Sequence, residues 1–304
     1  MARGVVSIIA CCISVLVAGP PQQAEAFQIV EASPLFEVDE SMRIPTDAAF
    51  SPEGTLFILD GYQNRIVARS PDGVVRVLVP EGSCALNRPL GITVHQDRLL
   101  VANTGGGTVC ELDLEGRCLR SVSFSGPEGA DPNACAPTDL AIEGAVVAVA
   151  DRGANRLHIC LYPSFERVQE AGDFGEPGGS LNGPYLLEMK HGRILATDIM
   201  NGRLVQMTNQ GRFVKHLAER GVREGQFVRP KGVATGAEGL VFISDSTLGV
   251  VQAFDAELEY RGTVGRAGRP LRFRHPAGIA AWGDLLAVVE QGRNKVSVLR
   301  LERP

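Results

Sequence analysis

Aromatic residues make up only 6% of this 304-residue chain, and a single tryptophan is among them. Cys-x-x-Cys and Cys-x-x-Cys-His spacings are missing, which removes a thioredoxin-type redox motif, a zinc ribbon and c-type haem attachment. No Gly-x-Ser-x-Gly elbow, P-loop or dinucleotide fingerprint stands between a strand pattern and a helix pattern. Gly105-Gly106-Gly107 leads into no helical pattern, so it reads as a turn and not a phosphate cradle. Basic excess is also lacking: 30 Lys and Arg face 35 Asp and Glu, a net charge of −5, which argues against a nucleic-acid partner. Beyond the first thirty residues no apolar period of 3.6 is sustained, so helix is not the building material.

What is present is 44% hydrophobic and 21% charged residues, with 35 glycines. That composition suits a globular chain with a core and many tight turns. The N-terminus differs in kind. Met1-Ala2-Arg3 supplies a positive start, Val5 to Val17 is apolar, Pro20-Pro21 breaks the run, and Ala24-Glu25-Ala26 fits a small-x-small cleavage pattern. Residues 1–26 are therefore expected to be a signal peptide cleaved before Phe27, leaving an exported chain, periplasmic or extracellular, with no transmembrane segment. A lipoprotein signal at Cys11 and a retained anchor are the competing readings. Removing one Arg and one Glu leaves the charge at −5. Five cysteines then remain, Cys84, Cys110, Cys118, Cys135 and Cys160, an odd number confined to the first half. An oxidising compartment permits pairing, which would staple neighbouring repeats, but the connectivity stays open.

The ordering principle is a repeat. Pro45, Pro89, Pro137, Pro184, Pro230 and Pro276 are separated by 44, 48, 47, 46 and 46 residues. Each proline leads into a short apolar segment, then a Gly or charged turn, then a second apolar run. That run ends on a polar residue every time: Asp60, Asn103, Asp151, Asp198, Asp245 and Glu290. Proline suits the first residue of a strand, and an acid opening a loop can bind backbone N–H groups two residues on. An Asn near the loop's end, such as Asn64 or Asn155, is expected to help fold its own loop. Third and fourth strands follow, with turns such as Pro71-Asp72-Gly73. Six four-stranded units of this period predict an all-β, six-bladed propeller over 27–304, four antiparallel strands per blade. The last unit has only three strands, and an orphan strand candidate within 27–38 is expected to complete it and close the ring.

These residues resemble a known family. Gly221 to Phe227, Pro230-Lys231-Gly232-Val233, Gly239 to Ile243, Asp245 and Val251 to Asp255 look like a near-complete NHL repeat. Ala136-Pro137 with Ala150 to Leu157 is a second good copy. Asp60 with Asn64 to Val67, and Pro276 to Ala280, are partial ones. The likeness spans the mature chain and implies a six-bladed NHL-type propeller. It leaves function open, because the family includes sensors, protein-binding rings, RNA binders and a metal-dependent lyase. The lyase branch uses His ligands for zinc. The five histidines here do not repeat at one blade position, so a three-His site is not expected. This sequence departs from the repeat in placing Asp47, Asp139 and Tyr185-Leu186 where glycine is usual, in the Asn103 and triple-glycine loop, and in lacking the loop Asn after Asp245.

Two functional readings follow. In a propeller the loop before each proline and the loop after each acid open on one face. Arg88, Arg229, Lys231, His275, Tyr185 and Arg152 then form a candidate surface for a small acidic ligand or a protein partner, on a ring acting as a binding scaffold. Arg65, Arg156, Arg203 and Lys295 are expected to bind neighbouring backbone rather than ligand. The alternative is a metal-dependent enzyme of lyase or lactonase type. There Asp47 and Asp139, with Glu188 as a third carboxylate, would hold Ca²⁺ or another divalent cation in the central channel. No other cofactor is expected. Asp47 and Asp139 come from units that are not adjacent, which counts against this second reading.

Overall fold

The apolar segments after the prolines are the innermost strands of their sheets: Pro45–Phe50, Gly91–His95, Pro137–Glu143, Pro184–Lys190, Pro230–Thr235 and Pro276–Trp282. Residues 28–124, 135–172 and 179–302 are described in this computed structural model, and the segment read as a signal peptide lies outside them. Each inner strand pairs antiparallel with the second apolar run of its repeat, such as Leu56–Asp60 or Val241–Asp245, and a third strand follows on the outside. The six inner strands lie side by side in sequence order, and the last lies beside the first. The arrangement is all-β and propeller-like, and no helix among the described residues is long and apolar enough to cross a membrane.

Six separate four-stranded sheets are not what forms. Four stand alone, starting from the inner strands at 45, 91, 137 and 184, and the remaining strands make one continuous nine-stranded sheet. Ile29–Val38 is the reason. Its residues Ala32 to Val38 run antiparallel to Lys295–Leu301 and complete the three-stranded last repeat, as the sequence suggests. Before that, Ile29, Val30 and Glu31 pair in parallel with Thr263, Val264 and Gly265 of the preceding repeat. One strand thus joins two four-strand runs.

The second strands read as unbroken apolar runs because both of their faces are covered. Leu56–Asp60 and Val241–Asp245 are buried at every position. Apolar clusters fill the space between consecutive sheets. Leu59, Leu99 and Cys110 join the first and second, for instance, and Ile58, Val67, Val289 and Val298 join the first repeat to the last. Burial on two sides removes the alternation that a half-solvated strand would show. Trp282 seals that last seam, stacking on Phe50 with its Nε1 donating to Pro52 O at 3.1 Å. Gly54, at φ +86°, leaves the space the indole occupies.

Polar latches act between repeats. The acid or amide closing each second strand accepts an N–H from the loop before its own repeat's proline, at 2.6 to 3.0 Å in all six copies. The loop Asn does something different from folding its own loop. Asn64, Asn155 and Asn294, all at positive φ, accept the N–H of Arg88, Gly183 and Ile44 in the next repeat around the ring. Arg65 and Arg203 follow the expected pattern. Each pins its Asp, at 3.0 and 2.9 Å, and reaches a backbone carbonyl.

Cys84 and Cys118 form a disulfide across 34 residues, tying the connection after the first sheet to the outer strand of the second. Cys110, Cys135 and Cys160 are free and buried. Closing a loop of that length contributes about 4 kcal/mol. Reduction, or Cys84→Ser, should therefore lower the melting temperature by roughly 8 °C. A melting curve unmoved by reductant would show that the bridge is dispensable.

Candidate functional site

The inner strands do not pair evenly. Register shifts follow the proline between Pro45 and Asp47, Pro137 and Asp139, Pro184 and Leu187, Pro230 and Val233, and Pro276 and Ile279. A bulge at the head of a strand re-aims the side chains within it. The bulged residues include Thr46, Thr138, Tyr185 and Lys231, and the shifted register resumes at Asp47 and Asp139.

A cavity of about 130 Å³ on the ring axis is lined by all six inner strands, with Asp47, Asp139 and Glu188 among the lining residues. Asp47 Oδ2 accepts Ile92 N–H at 3.0 Å and Asp139 Oδ2 accepts Leu187 N–H at 2.7 Å, so each carboxylate reaches into the following repeat. Their other oxygens lie over glycines of the preceding repeat. A Cβ on Gly278 would stand 2.1 Å from Asp47 Oδ1, and one on Gly91 2.2 Å from Asp139 Oδ1. The two acids, from non-adjacent repeats, therefore approach one another across Gly91 and Ile92. Burial raises the Asp47 pKa to about 8, against the pull of the Ile92 and Ala48 N–H groups. Burial, and then the charge of Asp47, raise Asp139 well above the carboxylate range. Asp139 Oδ1 is buried with no hydrogen-bond partner. Glu188, further along the channel and bonded to Thr235, is raised by burial to about 7.

Three hard-oxygen donors, one of them orphaned, face one cavity and are of the type a divalent cation takes, but their ligand atoms do not all come within 4.8 Å of one another, so a cation would have to draw them together. Asp47, Asp139 and Glu188 would be the residues holding it.

The mouth above the Asp pair is cationic. Lys231 is only 9% exposed, donates from Nζ to Gln291 Oε1 at 2.7 Å, and sits 5.6 Å from the centroid of the buried Tyr185 ring. Burial and then the Arg229 charge lower its pKa to about 8. Burial and the Asp47 charge raise the Tyr185 phenol to about 12, while Arg152 and Arg229 pull it the other way, so both guanidiniums lie near this ring. Among the described residues, none of Arg152, Arg229 and Lys231 is paired with a carboxylate. The other two predicted rim residues are placed by different contacts. Arg88 is exposed and held through its backbone, and His275 Nδ1 lies 3.4 Å from Ser246 O.

One cluster escaped sequence reasoning. Cys135, Asp151 and His158 present ligand atoms within 4.8 Å of one another, all buried. The only available hint was His158, two residues after a loop Arg, where the other repeats carry Val67, Cys110, Val205, Gln252 and Ser297.

No protein-family model matches the chain. Solved structures do. A virginiamycin B lyase from Staphylococcus aureus is 12% identical, with 85% of this chain and 80% of that one covered and a TM-score of 0.59. A gluconolactonase from Xanthomonas campestris is 15% identical over 86% and 87%, with a TM-score of 0.64. A Bacteroides thetaiotaomicron protein of unknown function reaches 0.68 at 15% identity, over 91% and 73%. The chain shares their β-propeller fold. At such identities the likeness speaks to fold alone.

Proposed function

We propose that this chain is an exported NHL-type propeller that binds an anionic ligand at the mouth of its channel. The two four-strand runs of the large sheet serve as its fifth and sixth blades. The observation that carries the reading is the group of three cations around Tyr185, with no carboxylate to neutralise them. Lys231 on its inner strand, with Arg152 and Arg229 on the loops flanking the inner and second strands, favours a carboxylate or phosphate group from outside. Asp47 and Asp139, kept protonated by burial, would offer O–H donors beneath it rather than repel it. Arg88 and His275 extend the rim toward a larger acidic ligand or partner patch.

Phosphate and a series of di- and tricarboxylates should raise the melting temperature of the chelator-treated protein. Replacing Arg229 and Lys231 together by Ala should weaken that binding at least tenfold, a loss of about 1.4 kcal/mol. Equal binding by wild type and the double variant would sink the reading. The affinity should also fall as the pH rises through about 8, where Lys231 loses its charge.

The second reading is a cation-dependent enzyme of lyase or lactonase type. Asp139 Oδ1 favours it, being a buried oxygen without a partner beside two further carboxyl groups. The cation would supply Lewis-acid polarisation of a substrate oxygen. Arg152 and Arg229 would orient the substrate's acidic end. Calorimetric titration with Ca²⁺, Mg²⁺ and Mn²⁺ decides this, and heat that persists in Asp139→Asn would place the cation elsewhere.

A further inference from the structure

We propose that Cys135, Asp151 and His158 form a metal site for Zn²⁺ or a similar borderline transition ion, separate from the channel. The third repeat differs here from its counterparts. Asp60 and Asp198 have one oxygen on the preceding loop and the other pinned by Arg65 or Arg203. In the third sheet Asp151 Oδ1 takes the N–H groups of Ala136, Gly153 and Ala154, which satisfies the structural role in full. The corresponding Arg156 ion-pairs with Glu170 instead. Asp151 Oδ2 is left facing His158 Nε2 at 3.1 Å, with Cys135 Sγ alongside.

Thiol, imidazole and carboxylate on three separate segments are the donor types zinc takes, and three protein ligands leave a fourth position for water. A second observation points the same way. Glu170 Oε1 stands 3.3 Å from His158 Nδ1, at the ring nitrogen opposite the one that faces Asp151, where metal-bound histidines meet a carboxylate. The atoms are near but misaligned, and Nδ1 has no hydrogen bond within a buried site. A metal on Nε2 would hold the ring as the Nδ1–H tautomer, whose proton Glu170 accepts. Phe124, 5.7 Å from the imidazole, and the apolar cluster containing Cys160 and Phe165 close the surroundings.

Without metal, burial and the Asp151 charge keep the Cys135 thiol protonated. Binding forms the metal–sulfur bond and releases the thiol proton to solvent, while the proton that Nε2 donates to Asp151 moves to Nδ1.

The test is Co²⁺ added to the chelator-treated full chain. One equivalent should bind with a thiolate-to-cobalt charge-transfer band, a signal that the sulfur-free channel site cannot produce. Cys135→Ser should abolish the band, and Cys160→Ser should keep it. Glu170→Gln should retain the band at saturation but weaken Co²⁺ binding by about 10- to 100-fold. If Cys135→Ser fails to fold by circular dichroism, His158→Gln takes its place, with at least a tenfold loss expected. Absence of a thiolate band at stoichiometric Co²⁺, or a band surviving Cys135→Ser, would overturn the proposal. Unchanged Co²⁺ affinity in Glu170→Gln would remove the carboxylate's positioning role.

Discussion

In the presence of chelator, Asp47→Asn should melt about 5 to 10 °C above wild type at about pH 8 and level with it near pH 4. The asparagine can still accept the Ile92 N–H, so the inter-repeat hydrogen bond survives. What disappears is an ionisation. In the unfolded chain Asp47 loses its proton near its ordinary value of 3.8, whereas in the folded ring it holds it until about pH 8. Between those values the folded state binds more protons, so stability falls with rising pH by about 1.4 kcal/mol per unit for each such group. Glu188 adds to the slope between 4.5 and about 7, and Asp139 adds in the same direction. Relaxation and water entry reduce the sum, leaving on the order of 3 kcal/mol from Asp47 at pH 8. A divalent cation that bound the three carboxylates would reverse the trend, stabilising wild type at pH 8 and Asp47→Asn much less. Melting temperatures of the two proteins, taken from about pH 4 to 8 with and without Ca²⁺, give all of these comparisons. Parallel pH profiles for wild type and variant would mean that Asp47 titrates normally and the channel holds no protonated pair.

Gly278→Ala should be among the most damaging single methyls in the ring. Its Cβ would lie 2.1 Å from Asp47 Oδ1 and 2.5 Å from Asp47 Cα, so a backbone as well as a side chain must retreat. Gly91→Ala meets Asp139 in the same way, at 2.2 Å from Oδ1 and 2.7 Å from Cα. Overpacking typically costs 1–3 kcal/mol where side chains can yield, and a backbone clash exceeds that, so about 4 kcal/mol is expected. Gly278 also lies where the last inner strand meets the first, so the strain falls on ring closure. The single Trp282 in that seam supplies the readout, because its fluorescence should shift at a lower urea concentration than in wild type. Combining Gly278→Ala with Asp47→Gly removes the clash with the carboxylate oxygen but not the clash with the backbone, so recovery should be partial. A Gly278→Ala protein as stable as wild type would show that neighbouring inner strands can slide apart freely, contrary to their packing.

This geometry also explains a departure visible in the sequence. Asp47 and Asp139 occupy a position that is glycine in three other repeats, at Gly91, Gly232 and Gly278. An acid is accommodated there because the preceding repeat has glycine at the same position: Gly278 before Asp47, Gly91 before Asp139. The pairing rule was present in the chain, but nothing in the spacing said that one repeat's position faces the next.

The linear order of residues determined what depends on near neighbours. The six prolines mark the inner strands, the apolar runs after them are the doubly covered second strands, and the polar residues ending those runs open the loops. Strand period, turn chemistry and capping by Asp are local, so they can be read from spacing. Packing decided the rest. Asp47 and Asp139 are 92 residues apart, yet the charge of one acts on the other, and Asp139 has room because Gly91 beside it has no side chain. Ile29–Glu31 fuses two repeats into one sheet by pairing with Thr263–Gly265, a match that the hydrophobic pattern of neither strand specifies. Asn64 binds the next repeat instead of its own loop, and Cys135 reaches His158 because Arg156 has turned to Glu170. The contacts between repeats hinge on the rotation between adjacent sheets, and the cysteine–histidine contact on how one sheet's loops and strands fold over each other. That rotation is set by how their buried faces interlock, and no stretch of sequence contains it alone.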